Sequence, residues 1–334
     1  MKKSLTLGIF SSAGMLMLIL DSRTALQGAQ EGIDLCLRAV IPSLFPFLVL
    51  GSILTSATGR GSRLLRPLGR LLYIPKGAEG VFLTGILGGY PTGARVVTQA
   101  YQSGQLPKNE ANRMLTFCNN AGPAFLFGIL STKFAHWTTI WVLWGIHILS
   151  AMVVARLQSP RAHEHNVKLE VPPISLAQAL KQAVSTMGCI CGWVVLFRIF
   201  LCFCSKWILW IVPTPVQIAF SGLVELTNGC CELDAITSES TRFVLCSALL
   251  AFGGICVTMQ TASVIGALSL GAYFRGKVVQ TAISAVLALI VSGILFPSDL
   301  YATQSAFVGL ILGASGLVFR RLQKRSSIPA KVGV

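Results

Sequence analysis

The sequence predicts an all-α, polytopic membrane protein of about eight to ten helical segments, and three observations carry that prediction. Its 334 residues are 53% hydrophobic and only 12% charged, whereas water-soluble domains carry about 25% charged residues. The mean hydropathy is +0.70. Charges are also missing from ten runs of 15 to 32 residues, and a charge near the bilayer centre is costly enough that such gaps mark lipid-embedded chain. A β-barrel would alternate apolar and polar residues in segments of about ten, which these runs do not do.

Residues 1–59 are expected to form N-terminal membrane helices. The run 4–20 follows Lys2 and Lys3 as in a signal peptide, but Asp21-Ser22-Arg23 stands where the small residues of a cleavage site belong, so a retained helix is expected. A second helix takes the run 39–59. Residues 60–77 then form a basic loop with Arg60, Arg63, Arg66, Arg70 and Lys76. Together with Lys2, Lys3 and the five basic residues Arg320, Arg321, Lys324, Arg325 and Lys331 around the tail 321–334, twelve of 27 basic residues flank membrane segments. The positive-inside rule places this loop and both termini in the cytoplasm, with an even number of crossings. The net charge of +15 is thereby assigned to topology. Nucleic acid is excluded as a partner because no basic folded face is left over.

Residues 78–156, the polar loop 157–173 and residues 174–320 follow, and the two longer stretches share a weak internal repeat. Thr84-Gly85-Ile86-Leu87 leading to Thr92-Gly93 resembles Ser221-Gly222-Leu223-Val224 leading to Thr227-Asn228-Gly229. Glu110-x-x-Arg113 ending at Cys118 resembles Glu239-x-x-Arg242 ending at Cys246, and the two offsets are 137 and 129 residues. Each stretch holds two apolar segments interrupted by helix breakers: Gly88 to Gly93 and Asn119 to Pro123 in the first, Thr227 to Gly229 and Gly253-Gly254 in the second. Lipid offers no hydrogen bonds, so interrupted backbone at membrane depth survives only inside protein or beside a watery cavity. Paired broken helices point to the substrate site of a secondary transporter, where half-helix N-termini present free N–H groups. The uncharged run 243–274 is 32 residues long, more than one span of about 20 needs, and must tilt, break or turn back.

The substrate-binding candidates are Thr92, Gly93, Asn119, Asn120 and Gly122 in the first pair of breaks and Glu225, Asn228, Gly254 and Gln260 in the second, with Arg95 as a candidate for an anion. Glu225 follows 18 uncharged residues, and an intramembrane carboxylate serves as a cation or proton site, a substrate acceptor or an ion-pair partner. Arg113 and Arg242 open apolar runs and are expected to snorkel to an interface. The ten cysteines lie mostly in apolar runs and read as small buried residues, and His163-Glu164-His165 reads as solvated loop. No Walker A loop, HExxH, GxSxG or carboxylate cluster occurs, so no enzyme, metal site or cofactor is expected. The expected partners are a small-molecule substrate, the lipid bilayer and a coupling cation or proton, with a homo-oligomer left open.

Four stretches carry a family resemblance: Pro42-Ser43-Leu44-Phe45-Pro46-Phe47, Gly89-Tyr90-Pro91-Thr92-Gly93-Ala94, Cys118 to Phe125, and Glu225 to Gly229 followed by Phe252-Gly253-Gly254. Over roughly residues 30–320 the chain resembles the sporulation integral membrane protein YlbJ family. The resemblance implies two nucleoside-recognition (Gate) repeats with broken or re-entrant helices, similar to parts of concentrative nucleoside transporters. A related sporulation protein is associated with moving dipicolinic acid into the forespore. By resemblance, this would be a bacterial inner-membrane permease of spore formation, in the cell or forespore membrane, for a small polar or anionic solute such as dipicolinic acid. Nucleoside transporters place acidic residues in both repeats, whereas the first breaks here offer Thr92, Asn119 and Asn120. A non-transporting scaffold and a nucleoside or metal permease are the alternatives.

Overall fold

The computed structural model describes residues 2–58, 63–158 and 174–299, and among these the secondary structure is helical with no strand. The basic tail, the run 300–319 and His163 to His165 lie outside the described residues.

Helix α1 (Lys2–Leu20) meets α2 (Ser22–Leu35) at Asp21, whose carboxylate accepts from the Thr24 amide at 3.3 Å and caps α2. A π-helical turn, Cys36–Val40, carries α2 into α3 (Ile41–Thr58), so that Ser22–Leu54 is a 33-residue apolar rod. After the short α4 (Arg66–Leu71), the interrupted segments begin. Helix α5 (Glu79–Gly88) stops at Gly89, and α6 (Thr92–Gln102) starts three residues later. Helix α7 (Lys108–Cys118) stops at Asn119, and α8 (Pro123–Gly128) restarts on a proline, whose missing N–H suits a first helical position. The unbroken α9 (Trp137–Leu157) closes this series.

The long α10 (Leu176–Trp207) separates it from a second series in the same order. Here α11 (Thr214–Val224) and α12 (Leu226–Cys231) are divided at Glu225, α13 (Glu239–Phe252) and α14 (Gly254–Val264) at Gly253, and α15 (Leu270–Leu295) is unbroken. Corresponding segments begin at 79 and 214, 108 and 239, and 137 and 270, offsets of 135, 131 and 133 residues.

Among the described residues, five helical stretches are long and apolar enough to cross a bilayer: Ser22–Leu54, Trp137–Leu157, Leu176–Trp207, Glu239–Val264 and Leu270–Leu295. Helices α5 and α11, of 10 and 11 residues, rise about 15 Å, half of a hydrocarbon core of about 30 Å. Several uncharged runs therefore correspond to half-spans. One predicted break moves. Thr227, Asn228 and Gly229 lie inside α12, and the interruption stands at Glu225, whose carboxylate accepts from the Asn228 amide at 2.7 Å and so begins α12. Gly229 is needed for closeness, since a Cβ there would stand 2.2 Å from the Gly222 Cα.

Side-chain placement on α15 shows which solvent surrounds the fold. Tyr273, Lys277, Gln280 and Ser284, spaced three or four apart, are buried, as are Ala288 and Ser292 further along the same stripe. Val278, Val286, Ile290 and Ile294 are exposed. This inverts the pattern of a helix on a water-soluble protein and fits a helix with lipid outside and polar contacts inside. Helix α15 packs on α7, α9 and α13, with the Ser247 and Ser284 hydroxyls 2.8 Å apart. At the other side α2 lies against α10 through Gly28 and Gly32, where a Cβ would come within 2.7 Å of the Ile199 Cα and 2.8 Å of the Val195 Cα. That four-residue spacing of small residues lets membrane helices approach backbone to backbone.

Candidate functional site

The four interruptions meet in pairs. In the first series the backbones of Gly89 and Gly122 touch, and a Cβ on Gly122 would stand 2.9 Å from the Gly89 Cα. In the second, a Cβ on Gly254 would meet the Gly222 carbonyl oxygen and the Leu226 nitrogen, each at 3.2 Å. Tyr90 joins the two pairs. Its ring lies over Gly253, where a Cβ would be 3.2 Å from Tyr90 Cζ, and its hydroxyl donates to the Leu250 carbonyl at 3.0 Å. That carbonyl belongs to the last turn of α13, where helical partners run out.

Between the pairs is a cavity of about 70 Å³. Gly89, Tyr90 and Gly122 of the first series and Glu225 and Gln260 of the second line it, with apolar residues of α3 and α10 completing it. The volume suits a few water-sized groups. Ligand pockets commonly measure about 300 Å³ or more, so loading a solute requires the walls to part.

Three of the sequence-predicted residues, Gly122, Glu225 and Gln260, line this cavity. Glu225 is 3% exposed, and its carboxylate accepts from the Asn228 amide and from Asn228 Nδ2 at 2.7 and 2.9 Å, with Thr227 donating as well. Gln260 donates to the Cys256 sulfur at 3.2 Å.

The other seven stand around the breaks without lining the cavity. Asn119 Oδ1 accepts from the Ala94 amide at 3.2 Å, satisfying the start of α6, and its Nδ2 donates to Thr261 Oγ1 at 3.1 Å. Asn120 Nδ2 donates to the Phe117 carbonyl at 2.7 Å, a group freed where α7 ends. Gly93 packs on Cys118, Thr92 donates to the Gly88 carbonyl at 3.2 Å, and Gly254 sits at φ +81°. Arg95 faces α10, donating to Thr186 Oγ1 at 3.4 Å. Asn228 links inward to Glu225 and outward to Arg198, whose Nη1 lies 3.4 Å from Asn228 Oδ1.

Arg198 also bonds Glu31 at 2.8 Å and Glu232 at 2.7 Å. These residues border a second, open cavity of about 700 Å³ between α2, α10 and α11. The chain Glu225, Asn228, Arg198 thus runs from the small inner cavity to this vestibule. Arg113 and Arg242, expected at an interface, are held by backbone carbonyls: Arg113 by Tyr73 at 2.5 Å, Arg242 by Ile236 at 2.7 Å and Lys133 at 2.8 Å.

Charge counting and break motifs miss three residues behind the Tyr90 wall. His147 of α9 accepts the free Ala121 amide at 3.0 Å. Gln280 of α15 donates to Asn120 Oδ1 at 3.1 Å and accepts from Lys277 Nζ at 2.7 Å. Lys277, fully buried, also donates to the Tyr90 hydroxyl at 3.2 Å. The signal for Lys277 and Gln280 is the three-to-four spacing of polar residues on α15, which charge-free runs do not record, whereas His147 stands alone on α9.

No protein-family model matches the chain, and no solved structure matches it. The chain is similar to a sporulation membrane protein. That relative, the sporulation integral membrane protein YlbJ of Bacillus subtilis (strain 168), is 23% identical over 320 residues, covering 80% of this chain and 78% of the relative. The YlbJ resemblance carried by the motifs therefore extends along most of both chains. With five bilayer-length apolar helices, the protein is an integral membrane protein.

Proposed function

We propose that the protein is a permease rather than an enzyme: a secondary-type transporter of a small polar or anionic solute, working by alternating access of two broken-helix repeats. The observation that carries this reading is that three of the four helix interruptions, at Gly89, Gly122 and Glu225, line one cavity, with the fourth, at Gly253, packed on Tyr90 beside it. Unwound backbone in lipid is expensive unless it borders such a site. The repeated order of two broken segments and one unbroken helix, at offsets of 131 to 135 residues, supports a division into residues 78–156 and 174–320 as equivalent halves. Arg113 and Arg242, each fastened to carbonyls outside its own helix, support the same equivalence.

In this reading the freed amides near Gly122 and the side chains of Glu225 and Gln260 contact the solute, while Asn119, Asn120 and Asn228 hold the breaks open. Glu225 is the coupling or acceptor group. The relative's name places it in sporulation, and the same setting is proposed here: the inner or forespore membrane, both termini cytoplasmic, with dipicolinate as the first solute to test. Full-length protein reconstituted in liposomes should accumulate labelled dipicolinate, and Glu225→Gln or Asn120→Ala should abolish uptake at unchanged membrane abundance. Wild-type protein that binds solutes but moves none would point to a scaffold, and undiminished uptake by both variants would remove these assignments.

A further inference from the structure

Lys277 is a cation placed in the interior of a membrane protein without a carboxylate to answer it. It is 0% exposed, and its Nζ bonds two neutral acceptors, the Tyr90 hydroxyl at 3.2 Å and Gln280 Oε1 at 2.7 Å. Among the described residues, none of the ion pairs includes it. An ammonium has three protons to donate, so these two bonds leave one donor over, and the charge is met by the ring faces of Tyr90 at 5.0 Å and Tyr273 at 6.0 Å rather than by a carboxylate.

Charges inside a membrane protein are otherwise paired or mark a substrate path. The other interior cation near the cavities, Arg198, is paired twice, with Glu31 and Glu232. Lys277 differs from it in this respect, and it lies directly behind a cavity wall. Its hydrogen-bond partner Tyr90 lines the cavity, and Gly253, lacking a side chain, leaves the space the Tyr90 ring fills.

Resting on the permease reading of an anionic solute, we infer that Lys277 is the fixed countercharge that positions the anionic end of that solute against Tyr90. The lining from the second series cannot play that part. Glu225 stands there, its own carboxylate already bonded by Thr227 and Asn228. The cavity is therefore polarised, with the carboxylate end of an occupant directed to Tyr90 and its uncharged or hydrogen-donating end to Glu225 and Gln260. At this range and in a water-poor interior, the charge acts through one intervening hydroxyl group with little screening. Lys277 is a positioning residue and decides the charge class of the solute.

The test is equilibrium binding to the detergent-purified full chain, using pyridine-2,6-dicarboxylate, benzoate and succinate, each beside its uncharged amide. Wild type should prefer at least one carboxylate over its amide. Lys277→Met should weaken that carboxylate at least tenfold and leave the amide unchanged, while Lys277→Arg should restore most of the loss, which a purely structural role would not predict. If Lys277→Met is not monodisperse, Tyr90→Phe replaces it and should weaken the carboxylate about threefold. Lys277→Met binding the carboxylate like wild type, or wild type showing no preference for any carboxylate, overturns the inference. Liposome flux separates the two readings: charge-selective binding without flux removes the permease and leaves the anion site. Uridine flux with no charge preference does the reverse.

Discussion

At the scale of single residues, the interruptions depend on glycines that touch backbone. A Cβ on Gly85 would fall 1.6 Å from the Cys118 carbonyl oxygen, whereas Gly145 on α9 has nothing within 4 Å. Gly85→Ala must push α5 away from the end of α7, and overpacking of this kind costs about 1–3 kcal/mol. We expect a lower melting temperature in detergent and loss of uptake for Gly85→Ala, against wild-type behaviour for Gly145→Ala. Equal melting curves for the two would remove the close approach of the first pair of breaks. The sequence shows where such residues lie because glycine and asparagine clusters inside apolar runs have few other uses. It hides Lys277, which immediately precedes the uncharged run 278–298 and stands two residues from exposed Arg275, so that counting charges assigns it to a membrane edge. Two residues on a helix are about 200° apart, enough to turn Arg275 outward and Lys277 inward.

At the scale of elements, α2 and α10 form the packed pair that walls the vestibule. Gly28 and Gly32 permit the contact, and Arg198 with Glu31 together with Lys206 and Asp21 fasten it. Gly32→Leu should therefore part the helices and lower thermal stability, and it should also disturb the vestibule. The partly exposed Arg198–Glu31 pair alone is worth little, about 1 kcal/mol or less, so Glu31→Gln should shift the melting temperature far less than Gly32→Leu. A larger effect from Glu31→Gln would mean that charge, not helix contact, holds this pair. The sequence analysis does not single out these glycines, because residues 28 and 199 are brought together only by the path of the chain. The break at Glu225 lies two to four residues before the Thr227 to Gly229 stretch that the sequence suggests, for a related reason. Thr227-Asn228-Gly229 has the composition of a turn, yet the Glu225 carboxylate supplies an N-cap that makes those residues helical.

At the scale of the whole molecule, two cavities of very different size share one wall. The inner one measures about 70 Å³ and the vestibule about 700 Å³. Glu225, Asn228 and Arg198 stand between them, while Tyr90 bonded to Leu250 ties the two series of helices together on the other side. A carrier that exposes its site alternately must loosen one of these barriers when solute binds and tighten the other. Cysteine labelling can observe this. In a chain whose ten native cysteines are replaced and which still transports, Gln217→Cys reports the vestibule and Gln260→Cys the inner cavity. With a membrane-impermeant maleimide, position 217 should react quickly from one side of the bilayer and position 260 slowly. Adding transported solute should speed labelling at 260, because turnover must open the inner cavity, and should change the rate at 217 as the barrier between them moves. Rates at both positions that ignore saturating solute would show that the two series of helices do not move against each other, and the shared wall would then be a fixed partition rather than a gate.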